Sequence, residues 1–158
     1  MSIESVKNHL ARFDLADRIQ EFDVSSATVE LAAAALGTEG ARIAKTISLH
    51  GKEGGCILVV CAGDHKIDNA KFKARFGFKP RMLSPDEALA LTSHAVGGVC
   101  PFALPEGVPV YLDVSLQRFD TVFPAAGTAS SAVRLSCDEL FLSAEAKSWE
   151  DLCRAREA

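Results

Sequence analysis

The stretch from Ala41 to Gly63 limits the fold most sharply. "ARIAKTISLH" (41–50) and "GCILVVCAG" (55–63) are apolar and rich in β-branched residues, and "GKEGG" (51–55) supplies the glycines and charges of a hairpin turn. Alternate residues of a strand share a face, so Ile43, Lys45, Ile47 and Leu49 point one way and Ala44, Thr46 and Ser48 the other. Lys45 therefore interrupts an apolar row. Burying an ammonium without a partner is costly. Three arrangements relieve it. The stem can snorkel past Ile43 to water, a carboxylate can pair it, or the ammonium can wait for a ligand's phosphate or carbonyl oxygen. The row alone leaves all three open.

Around this hairpin the remaining elements read as mixed α/β. Ile3, Val6, Leu10 and Phe13 recur at helical spacing among charges, which predicts an amphipathic helix and not a signal peptide. "IQEF" (19–22) is a short strand, and "SSATVELAAAALG" a helix with a Ser or Thr N-cap that ends at Gly37. A basic helix is expected over 68–76, stopping at Gly77. "SPDEALALTS" opens with Ser84, Pro85 and Glu87, a capping box. "VPVYLDV", "TVFPA" and "SAVRLS" predict strands; "SCDELFL" and "SWEDLCRARE" predict helices. The strands are interleaved too irregularly for a doubly wound sheet, so one mixed sheet with helices around it is expected. With 158 residues the chain suits a single domain, 1–158. No apolar run approaches the roughly 20 residues of a membrane span.

The polar residues narrow the chemistry. Five cysteines without a CxxC pair predict a reduced, cytoplasmic protein, and four scattered histidines without HxH or HExxH predict no metal site. The net charge of −4 argues against general coating of nucleic acid. Yet Lys66, Lys71, Lys73, Arg75, Lys79 and Arg81 crowd one segment with Asp68 as its only acid. Such a cluster is either a solvated face or an attractor of a phosphate backbone.

"AVGGVCPF" (95–102) poses a choice between a cysteine nucleophile and a stretch of bare backbone. An activated thiolate needs a helix N-terminus or a paired histidine. His94 lies six residues before Cys100, but Pro101 and the loop "ALPEG" follow, where a nucleophile elbow would enter a helix. Glycines let a main chain approach a ligand and present N–H groups to a carbonyl oxygen, and they also make plain tight turns. Backbone is the better reading.

"AKTI", "TSHAVGGVCPFAL" and "FPAAGTASSAVRLSCDEL" together resemble the YbaK and prolyl-tRNA-synthetase-associated editing domains, over about residues 20–142. The resemblance implies a barrel-like mixed sheet surrounded by helices and the hydrolysis, in trans, of amino acids wrongly attached to tRNA. The expected substrate is tRNA(Pro) carrying Cys or Ala, with prolyl-tRNA synthetase as a transient partner and no cofactor. The family's lysine falls on Lys45, its Gly-x-x-x-Pro loop on Gly97–Pro101 and its later glycine on Gly127. Lys45 and Gly98 are thereby the expected catalytic residues. Thr46, His94, Gly97, Val99, Cys100, Pro101, Gly127, Ser130 and Ser131 are expected against the substrate, and Lys66, Lys71, Lys73 and Arg75 against tRNA. Relatives carry Gly where Ser93 and Ala103 stand, and Ser at Cys100; some cysteine-clearing members carry Asp at Ala132. Two rival activities remain: a non-catalytic module for a tRNA acceptor end or nucleotide, and a Cys100/His94 thiol hydrolase.

Overall fold

The computed structural model describes residues 2–156. In chain order it contains α1 (Ser2–Ala11), β1 (Ile19–Glu21), α2 (Val29–Leu36), β2 (Ile43–His50), β3 (Cys56–Ala62), β4 (His65–Ile67) and α3 (Asn69–Phe76). There follow α4 (Pro85–Thr92), β5 (Val110–Asp113), β6 (Phe123–Pro124), β7 (Ser131–Val133), α5 (Cys137–Ser143), β8 (Ser148–Glu150) and β9 (Cys153–Ala155). The hairpin forms as its sequence dictates. β2 and β3 are antiparallel from Ala44↔Ala62 to His50↔Cys56, and place Lys45 opposite Cys61.

The main sheet has the order β6-β2-β3-β5-β8 and is mixed, because β6, β5 and β8 all pair in parallel with their neighbours. Two short antiparallel ladders, β1-β7 and β4-β9, flank it. Isolated bridges Val122↔Leu135 and Ala125↔Ala132 carry the pairing from β6 round to β7, which curls the sheet. β3 is buried throughout, as its unbroken apolar run requires. Leu58, Val60 and Ala62 face a core shared with Val6 and Leu10 of α1 and Leu140 of α5. Ile57, Val59 and Cys61 face a second core around Phe72 of α3 and Leu152.

Local signals fix the helix ends. Thr28 caps α2 by accepting from the Leu31 N–H, and Ser84–Glu87 and Ser136–Glu139 close capping boxes on α4 and α5. One element differs in kind. "SWEDLCRARE" is β8 followed by β9 and not a helix, while Glu157 lies outside the described residues. A helix would keep Trp149, Leu152 and Cys153 on one face, whereas the chain sends Trp149 to the first core and the other two to the second. The buried Asp113 carboxylate fixes the crossing by accepting from the Leu152 N–H at 2.8 Å.

Candidate active site

A cavity of about 720 Å³ opens beside the outer edge of β2. β6 covers that edge at Ile43 and Ala44. The segment after α3 covers it at the far end, where the His50 N–H donates to Arg81 O and the Leu83 N–H to Ser48 O. Main-chain groups alternate in direction along an antiparallel strand, so those of Thr46, between the two covers, also turn outward. The Thr46 Oγ1 is buried and has no hydrogen-bond partner among the described residues. An unpaired polar atom of this kind is costly unless a ligand or water meets it.

Lys45 lines this cavity and is half-buried. Among the described residues it makes neither an ion pair nor a hydrogen bond, so no carboxylate pairs it. The anion that an ammonium in an apolar row calls for is not supplied by the described residues. Lys66, on β4, lines the same cavity and is likewise unpaired among the described residues. The amide of Asn69 and the hydroxyl-bearing Ser131 also reach the wall.

The glycine loop forms the opposite wall, through Val96, Gly97 and Val99. α4 ends at Thr92, and the Gly98 N–H donates to Ala95 O at 2.9 Å to close a tight turn, with Gly97 at φ +93°. This amide is therefore already spent, which corrects the expectation that it would hold a substrate carbonyl. The N–H groups of Gly97 and Val99 have no partner among the described residues and remain the candidates for that task. Gly98 needs to be glycine for another reason: a Cβ there would stand 2.7 Å from the main chain of Gly127 and Thr128.

His94, Cys100 and Pro101 lie buried behind the loop and do not line the cavity. The His94 Nε2 is 2.7 Å from Phe102 O; since a carbonyl only accepts, Nε2 carries the proton. Its contact with Cys100 Sγ at 3.5 Å thus cannot take a proton from the thiol, and Nδ1 has no partner. Burial holds His94 below its usual range and pushes the Cys100 thiol up to about 12. The pair lacks what an activated nucleophile needs, a stabilised thiolate in reach of substrate. Gly127 and Ser130 also stay out of the wall, while Ser131 receives a hydrogen bond from Thr128 Oγ1 at 2.7 Å.

The basic segment divides in three. Lys71 is held by Asp151 at 2.9 Å and donates to Cys153 O at 3.0 Å. Arg75 pairs with Glu150 at 3.1 Å and lies over the Phe76 and Tyr111 rings. Both tie α3 to the C-terminal strands. Lys73 is exposed and without an ion pair among the described residues, and Lys66 lines the cavity. Met82 and Val96, 65 % and 62 % exposed, flank the mouth. They carry no pattern in the sequence that distinguishes them from other loop residues.

A curled mixed sheet with helices around it is the architecture that the editing-domain motifs imply. Residues 23–141 match the aminoacyl-tRNA editing domain, and the chain belongs to that family. It is 50% identical over 154 residues to "Uncharacterized protein YwhH" of Bacillus subtilis (strain 168), covering 98% of each chain. Over 110 residues it is 29% identical to the "Putative Cys-tRNA(Pro)/Cys-tRNA(Cys) deacylase EbsC" of Enterococcus faecalis (strain ATCC 700802 / V583), covering 69% of this chain and 67% of that one. A solved structure described as "a putative trans-editing enzyme for prolyl tRNA synthetase" superposes with a TM-score of 0.87 at 29% identity, covering 98% of both chains.

Proposed function

We propose that the chain is a cytoplasmic deacylase that acts in trans on tRNA(Pro) wrongly charged with a small amino acid, Cys or Ala, in transient company with prolyl-tRNA synthetase. The observation that carries this reading is the unpaired, half-buried Lys45 facing an open cavity from inside an apolar row. An aminoacyl ester is already labile, so placement and electrostatics suffice and no protein nucleophile is needed. Water attacks the ester carbonyl carbon, with the adenosine's free ribose hydroxyl helping to orient it. The amides of Gly97 and Val99 hold the developing oxyanion, and Lys45 holds the neighbouring phosphate or the ester oxygen. The bond from carbonyl carbon to ribose oxygen then breaks, that oxygen takes up the proton which the water gave up, and free amino acid leaves the tRNA.

Selection in this scheme is steric. An apolar wall distinguishes one methylene by only about 1–3 kcal/mol, so a second sieve after charging is physically useful. The test is a panel of tRNA(Pro) charged with Cys, Ala or Pro, offered to wild type and to Lys45→Met. Release of Cys or Ala but not Pro, lost in the variant, supports the reading. Binding of all three without release would make the chain a non-catalytic acceptor-end module.

A further inference from the structure

The cavity has an unusual charge inventory. Its titratable side chains are Lys45 from β2 and Lys66 from β4, and it has no Asp, Glu or His among its lining residues. α2, β6, β7, the segment 80–85 and the glycine loop contribute only apolar or neutral polar groups. Asp68, the acid in the cluster beside Lys66, does not line the cavity and caps α3 by accepting the Lys71 N–H at 3.0 Å. Two lysines thus line one cavity, and neither has an anionic partner among the described residues. An aminoacyl ester brings one anion, the phosphate, and one potential cation, the α-nitrogen.

Resting on the deacylase reading above, we infer that this cavity takes the acyl group with its α-nitrogen uncharged. A substrate phosphate can satisfy one lysine. The other remains to repel an α-ammonium, with no carboxylate to compensate it. Like charges disfavour the protonated form of an amine. An α-amine titrates near 7.7–8.0 in a chain terminus, and an ester on the same carbon withdraws electrons and lowers it further. The neutral form is therefore well populated near pH 7. Thr46 Oγ1, which has no partner among the described residues, can donate to a neutral amine or accept from it. The substrate class follows: esters of small acyl groups whose α-position bears a neutral amine or a hydroxyl.

The experiment compares alanyl-tRNA(Pro) with lactyl-tRNA(Pro), in which a hydroxyl replaces the amine at almost equal size, with cysteinyl-tRNA(Pro) as a further substrate. kcat/KM is measured from pH 5.5 to 8.5 after subtraction of uncatalysed hydrolysis. Any limb from Lys45 or the attacking water is common to both esters, so the readout is their ratio. The alanyl-to-lactyl ratio is expected to rise about tenfold per pH unit below the amine's pKa and to level off above it. A ratio independent of pH, or preference for alanyl at pH 5.5, overturns the inference while leaving the deacylase reading intact. No enzyme-dependent release from any of the three esters overturns that reading and the inference with it.

Discussion

Gly98 packs against Gly127 so closely that a Cβ on Gly98 would lie 2.7 Å from both the carbonyl carbon and the carbonyl oxygen of Gly127. Two loops distant in sequence are thereby held at main-chain contact, and one of them carries the free amides of the cavity wall. Neither side of this contact has a flexible side chain that could yield.

Gly98→Ala should therefore act by prising the loops apart. Overpacking of this kind costs about 1–3 kcal/mol, and a domain of this size loses roughly 2–4 °C of Tm per kcal/mol. Deacylation should fall on the order of a hundredfold, comparable to losing an oxyanion donor. Thermal melts and single-turnover release measure the two effects. Wild-type values for both would show that the loops need not touch.

Lys45→Met keeps the apolar stem and removes the charge. Because Lys45 has no partner among the described residues, its removal strands no buried anion, and Tm should hold or rise. Release of amino acid should drop by about a hundredfold or more. A variant that melts early and stays active per folded molecule would make Lys45 a structural residue.

Cys100 lies in the main core, and burial raises its thiol to about 12. It should not react with a thiol reagent at pH 8 until the protein is unfolded. Cys100→Ser places a hydroxyl in the buried core beside His94 and the Phe102 carbonyl and should cost about 1–3 kcal/mol of stability. Turnover per folded molecule should stay within about tenfold. Loss of turnover in a protein with an unchanged melt would restore the thiol as a nucleophile.

Lys71 and Lys73 stand two residues apart but should respond differently to reversal. Lys71→Glu sets a carboxylate beside Asp151 and Asp68 and should lower Tm by a few degrees at most, since exposed pairs contribute about 0–1 kcal/mol. Lys73→Glu should leave Tm alone. If Lys73 meets phosphate, its reversal should raise KM and reduce the salt slope by about one. A KM and slope unchanged at both Lys73 and Lys66 would make the whole segment a solvated face.

Asp64, beside the end of β3, contributes to the pH dependence of stability. Hydrogen bonds from the Arg118 guanidinium, at 2.7 and 3.1 Å, lower the Asp64 carboxyl from 3.8 to about 2. A folded-state pKa below the unfolded one stabilises fully above the unfolded value, so the contribution is present above about pH 4 and lost as pH falls towards 2. Both groups are more than a third exposed, so the effect is small and screened by salt. Asp64→Asn should flatten the acid limb of the stability curve in that window at low ionic strength, and leave it unchanged near 1 M salt.

Much of the frame was legible because its determinants are local. Two capping boxes and the alternation in "ARIAKTISLH" need only a few neighbouring residues, and they give α4, α5 and the facing of Lys45 directly. What escaped depends on partners far along the chain. Lys66 and Lys71 look alike in a basic run, yet β9 and Asp151 decide that one residue lines a cavity and the other meets an acid. Gly98 reads as a carbonyl clamp until Gly127 is seen to occupy the space beside it. Trp149, Leu152 and Cys153 keep helical spacing while serving two different cores, a distinction that no short-range pattern carries.

The pairing of β4 with β9 also dictates an order of events. Loop closure grows costlier with chain separation, and contacts between distant segments form late. The β2–β3 hairpin can present Lys45 early, whereas Lys66 is fixed only once 153–155 have docked on 65–67. Folding intermediates would thus own one half of the cavity's charge and not the other. In the finished molecule this ladder of three residue pairs is the natural place for local opening. Such opening would loosen Lys66 without disturbing Lys45, so on the reading proposed above amide exchange at 65–67 and affinity for tRNA should change together.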